Sequence, residues 1–245
     1  MYYKMKEIIA SLPKEKNDAD SYWTRFVLRP ISFPITWLLL LGNITPNMTS
    51  WLGVFFAILG GLFFSLNFFI QASNTIFYCL GLIFFFLFSV FDCADGNMAR
   101  TIKKNNPWGS WVDAVGGYIA YTIALLALGL AAEQMNQGLR GLYIFLGGFS
   151  ASSNMLMRAA VQSNRVSLIK MTNIVNLNPD NSEKRFSEHV GITGAMFPLY
   201  GIGIIFNKLH YVLLFYSVIY GFGSIWVLFK FALKTKTNKE DIIIS

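Results

Sequence analysis

Residues 92–117 read DCADGNMARTIKKNNPWGSWVDAVGG, and apolar runs lie on both sides of them. The stretch places Asp92, Asp95, Asp113 and Arg100 at the ends of two very apolar segments, where ionisable groups are expensive and carry function. Asp92 and Asp95 are three positions apart, so on a helix they share a face. Asp113 follows a short basic loop, at the start of the next apolar segment. An antiparallel helix pair would bring all three carboxylates to one membrane surface, and such a set of oxygen donors suits a hard divalent cation.

Composition agrees with a membrane setting, because 54% hydrophobic and 13% charged residues over 245 positions is not a soluble profile. The reading is an all-α integral membrane protein forming a single domain over 1–245. The net charge of +7 is then a topology signal. Nucleic-acid binding is not expected, since that would want a basic stripe interleaved with aromatics on a soluble fold. Cys79 and Cys93 show neither a secreted-scaffold pattern nor a zinc spacing, and both are read as reduced thiols.

Residues 1–20 are polar and mixed in charge, a cytoplasmic lead-in. In 21–41 (SYWTRFVLRPISFPITWLLLL), Pro30 and Pro34 are expected to break the run and leave an apolar tail too short to span. An interfacial amphipathic helix completes the lead-in over 1–41. Six transmembrane helices are expected within 42–232, at about 51–70, 74–91, 108–132, 141–157, 190–206 and 211–229, followed by a tail at 233–245. With these spans, eighteen of the 20 Lys and Arg residues fall on one side, and only Arg140 and Lys208 on the other. Basic loops stay in the cytoplasm, so both termini and the acidic cluster are expected there, in a bacterial or archaeal plasma membrane. The paired glycines of the spans read as close helix packing. Gly96 stands beside Asp95, where a missing side chain would let a ligand lie against the backbone.

The segment Asp92, Asp95, Gly96, Ala99, Arg100, Gly109, Asp113 resembles the signature of the CDP-alcohol phosphotransferase (phosphatidyltransferase) family, D-x-x-D-G-x-x-A-R, eight residues, then G-x-x-x-D-x-x-x-D. TPNMTSWLG at 45–53 is similar to the family's T-P-N-x-x-T before the first span, with Ser50 where threonine is usual. The resemblance implies that an acceptor hydroxyl attacks the donor phosphate of a CDP-alcohol, giving a phosphodiester and CMP. It also implies Mg2+ or Mn2+ on Asp92, Asp95 and Asp113, since bare carboxylates would repel a pyrophosphate. By resemblance Gly96, Ala99 and Gly109 make room for the nucleotide, Arg100 meets phosphate or braces the acids, and Asn47 and Ser50 add hydrogen bonds. The acceptor would be a lipid, polyol or glycan hydroxyl, membrane lipids would surround the chain, and the family's habit of dimerising makes a homodimer a possible assembly.

The family's fourth aspartate, assigned as general base, is Gly117 here. That role is vacant, moved to Glu188 or His189, or supplied by the substrate. Arg158 and Arg185 are candidates for holding an anionic acceptor or phosphate, against the alternative of snorkelling to acidic headgroups. Two readings stand beside the enzyme: a catalytically degenerate nucleotide or lipid binder on the same fold, and a metal-ion or solute transporter. The transporter reading is weakened because the acids cluster at one face.

Overall fold

The computed structural model describes residues 3–103, 107–136, 141–172 and 188–243. Every regular element among them is helical. Two short N-terminal helices, α1 (Met5–Ala10) and α2 (Lys14–Ala19), precede a π-helical turn (Thr24–Leu28) that runs directly into α3 (Arg29–Leu41). The long helices α4 (Pro46–Phe69), α5 (Thr75–Thr101), α6 (Pro107–Met135) and α7 (Leu142–Thr172) follow. A second π-helical turn (Ile192–Met196) leads into α8 (Phe197–Ile205), and α9 (Leu209–Ile243) ends the chain.

Local chemistry sets the helix ends. Pro46 opens α4, where a missing N–H costs nothing, and the Thr45 hydroxyl accepts the Met48 N–H at 3.3 Å. Asn74 caps α5 by accepting the Ile76 N–H at 3.0 Å. The α4–α5 turn is clamped because Asn67 both donates to the Asn74 carbonyl (2.8 Å) and accepts its N–H (3.0 Å). Asn43, Gln71, Lys103 and Asn207 adopt positive φ just past the ends of α3, α4, α5 and α8, the left-handed stop that lets the next N–H reach back to the last carbonyls.

The long helices close around an aromatic and aliphatic core that includes Phe64, Phe85, Leu125, Leu128, Tyr200 and Tyr216. Close approach is built from glycine. A Cβ at Gly81 would lie 2.7 Å from the Phe64 backbone nitrogen, so α4 and α5 touch backbone to backbone. Two tyrosine hydroxyls in this core are satisfied on carbonyls, Tyr200 on Ala124 and Tyr216 on Val190, each at 3.0 Å.

Five helical stretches are long and apolar enough to cross a membrane: Thr24–Leu41, Pro46–Phe69, Thr75–Thr101, Pro107–Met135 and Leu209–Leu233. Four of them are spans expected from sequence. The fifth lies within 21–41, where the prolines were expected to break the run; neither of them ends the helix. Pro30 follows directly on the π-helical turn and Pro34 is carried inside α3, each forgoing a backbone hydrogen bond. The expected fourth and fifth spans are not among the five. Residues 141–157 fall in α7, whose apolar face is interrupted by Ser150, Ser153 and Asn154, all buried. Residues 190–206 are divided between the second π-helical turn, which contains the non-helical Gly194, and α8.

Candidate active site

The N-terminal ends of α4 and α6 and the C-terminal end of α5 frame a cavity of about 430 Å³. Asp92 and Asp95 both line it from α5, as their three-residue spacing requires, and Asp113 lines it from the first turns of α6. Asp95 is 7% exposed, Asp92 is half-buried and Asp113 is open to the cavity mouth. Ser50, one turn into α4, donates its hydroxyl to the Asp95 carboxylate while Asn47 lines the wall below. Gly96, Ala99, Arg100 and Gly109 also face the cavity, so the helix pair gathers every residue of the signature that the sequence carries, except the vacant position.

The two glycines stand in different surroundings. At Gly96 a Cβ would sit 3.2 Å from Nη1 of Arg100, so the missing side chain makes room first for the arginine head. Gly117 does not line the main cavity but a small recess behind the acids, which shares Ser50, Asp92, Asp95 and Asp113 with it. A Cβ at 117 would meet nothing within 4 Å among the described residues.

The substitute groups separate in space. Glu188 lies on the cavity wall, whereas the His189 ring is set edge-on against Tyr22, 6.0 Å between centroids. Arg158 is not part of the cavity wall. Its Nε donates to Asn154 at 3.0 Å and its guanidinium covers the Tyr121 ring at 4.0 Å, with Tyr118 at 5.7 Å, a cation–π seat that accounts for a charge within the helical bundle. Arg185 lies outside the described residues.

Residues not singled out from sequence complete the site. Lys16, Asp20, Ser21, Thr24 and Arg29 reach the cavity from the N-terminal segment, and Thr193 from the second π-helical turn. The signal is present at Arg29, as at Arg158, since an arginine inside an apolar run is costly without a partner.

The acids suit a divalent cation in their chemistry. None of Asp92, Asp95 and Asp113 forms an ion pair with a described residue, so their negative charge is left to be balanced, and the donors are hard oxygens with the Ser50 hydroxyl beside them. Among the described residues no trio of acidic, histidine or cysteine side chains is drawn together tightly enough to grip an ion. The acids converge on one space, and an ion entering it would have to draw them inward.

Long apolar helices enclosing an acid-lined polar cavity define an integral membrane protein with its polar site at the ends of the helices. The chain belongs to the CDP-alcohol phosphatidyltransferase family, whose model matches residues 43–175, more than half its length and the whole of the signature. That family moves phosphatidyl groups from a CDP-alcohol to an alcohol acceptor at membranes and is generally dependent on divalent metal. No curated protein matches the chain significantly.

Proposed function

We propose that this chain transfers a substituted phosphate from a CDP-alcohol to an acceptor hydroxyl and releases CMP, in the synthesis of a phospholipid or a lipid-linked or glycan conjugate. The observation that carries this reading is the convergence of Asp92, Asp95 and Asp113 from two helices on one cavity, with Arg100 in its wall. Asp92, Asp95 and Asp113 would hold Mg2+ or Mn2+, which neutralises phosphoryl oxygens and the leaving nucleotide when bound. Ser50 keeps the Asp95 carboxylate oriented, and the Arg100 guanidinium offers planar donors to phosphate. Asn47, Gly96, Ala99 and Gly109 shape the nucleotide side. Glu188 is the base that takes the acceptor proton, and the open space at Gly117 admits part of the acceptor. Incubating the purified protein with a panel of CDP-alcohols and measuring CMP tests the reading; no CMP from any donor, with or without divalent ions, would overturn it.

The topology we propose keeps six membrane helices, with α7 and the α8 segment as the fourth and fifth. The polar residues of α7 support this, since Ser150 and Asn154 are buried within the bundle and Ser150 bonds Ser217 of α9 at 2.8 Å, leaving the outward face to lipid. The basic residues then place both termini and the cavity in the cytoplasm. The N-terminal segment lies along that face. A binding-only member of the family is the second reading, favoured by one feature: no described side chain comes within 4 Å of where a Cβ at Gly117 would stand, so among the described residues nothing takes the place of the missing aspartate there.

A further inference from the structure

The family match begins at residue 43, yet one wall of the cavity is built from residues before it. Arg29 holds that wall in place. Its Nε and Nη2 donate to the two carboxylate oxygens of Asp20 at 2.8 and 3.3 Å, a forked ion pair with side chains only 6% and 10% exposed. Its Nη1 donates to Oδ1 of Asn97 at 3.1 Å. The same Oδ1 accepts from Nη2 of Arg100 at 2.7 Å, so one fully buried amide oxygen bridges two guanidinium groups. Asn97 is fixed in turn by donating to Ser32 at 3.0 Å.

Two guanidiniums on one acceptor repel each other, and Asp20 on the outer side of Arg29 offsets that repulsion, with Asp92 and Asp95 acting from farther away. On the inner side Arg100 has a buried Nε with no hydrogen-bond partner among the described residues, while its head lies over Gly96 at the cavity wall. The Arg100 side chain lines the cavity, so its guanidinium offers planar donors to an anionic ligand bound there. The segment between the anchors is tied on its other edge as well, since Ser21 and Thr24 both donate to the Thr193 carbonyl. Lys16, in the same segment, comes near enough to Asp92 and Asp113 for their charges to interact.

We propose that Arg29 is a positioning residue of the donor site: through Asp20 it latches the N-terminal segment over the cavity, and through Asn97 it orients Arg100 toward the diphosphate of a nucleoside diphosphate ligand. The inference rests on the proposed CDP-alcohol reading and adds to it a wall that the family signature does not contain. Arg29 touches no reacting atom, so its effect is on donor binding.

The test compares full-length wild-type protein with Arg29→Met, Arg29→Lys and Asp20→Asn, using CDP as the binding probe and CMP release as the activity. Arg29→Met should raise the Kd for CDP and the KM for the donor roughly tenfold or more, in the manner of a lost supporting hydrogen-bond partner, with kcat changed less than threefold. Arg29→Lys should recover only part of this, because one ammonium cannot span Asp20 and Asn97 together. Trypsin cleavage after Lys14 and Lys16 should be faster in Arg29→Met and no longer slowed by CDP. Should Arg29→Met not fold, Asp20→Asn, which leaves Arg29 its Asn97 bond, must give the same direction of change. Unaltered Kd and KM in a folded variant would overturn the proposal. A wild-type protein that neither binds CDP nor releases CMP would defeat the CDP-alcohol reading itself. The latch would then stand on faster trypsin cleavage in Arg29→Met, and fall on equal rates.

Discussion

Ser50 and Asp95, forty-five positions apart, are joined by a hydrogen bond from the Ser50 hydroxyl to the Asp95 carboxylate. This bond couples the first turn of α4 to the signature on α5 and orients the least exposed of the three acids. Ser50→Ala removes the donor and is expected to lower activity and divalent-ion affinity roughly 10- to 100-fold, as loss of a partner to a ligating carboxylate does. Ser50→Thr keeps the hydroxyl and should retain most of the activity. Equal CMP release from Ser50→Ala and wild type would remove Ser50 from the site.

Asp92, Asp95 and Asp113 act on the same ion in the proposed function. Each Asp→Asn variant should lose CMP formation and bind Mn2+ more weakly, while its melting temperature in detergent stays near that of the wild type. Electron paramagnetic resonance of Mn2+ reports the binding directly. Two variants with undiminished activity would refute the assignment.

Glu188 and Gly117 share a prediction. Glu188→Gln should reduce kcat roughly 100- to 10,000-fold, the usual worth of a placed base, with little change in donor KM. Since a Cβ at 117 meets nothing within 4 Å, Gly117→Asp should fold. Combined with Glu188→Gln, it should restore part of the transfer to a small alcohol. Full activity of Glu188→Gln would exclude it as the base.

Gly81 tests the packing. A Cβ there would meet the Phe64 nitrogen at 2.7 Å and the Gly60 carbonyl oxygen at 2.9 Å, backbone atoms that cannot swing aside. Gly81→Ala is therefore expected to destabilise the protein by about 1 to 3 kcal/mol, the range for overpacking, seen as a lower melting temperature. Gly148→Ala, where a Cβ meets nothing within 4 Å, should leave it unchanged.

The orientation is open to labelling. In a background with Cys79 and Cys93 changed to alanine, cysteines placed at Lys103 and Asn136 lie past opposite ends of α6 and its α5 partner. An impermeant thiol reagent added to intact cells should modify position 136 alone. Modification at 103 alone would invert the topology.

The sequence by itself determined the membrane class, because apolar runs of spanning length are a property of local composition. It also determined the acid pair on α5, because Asp92 and Asp95 at three-residue spacing share a helix face wherever that helix is placed. The placing of Asp113 opposite them followed from the short turn between two long helices. The start of α4 at Pro46 lies five residues before the expected 51, although its Thr45 cap acts over only three residues.

Only the tertiary structure decided the rest, since those features depend on residues far apart in the chain. The passage of α3 through Pro30 and Pro34 depends on its packing against α5, which outweighs a local preference to end. The role of Gly96 depends on which rotamer Arg100 adopts. Arg158 belongs to Tyr121 and Tyr118 instead of the cavity, and His189 belongs to Tyr22. The bridge from Asp20 through Arg29 and Asn97 to Arg100 joins three stretches of chain. Spacing carries no record of such a network, because buried charges find their partners only once the helices have packed.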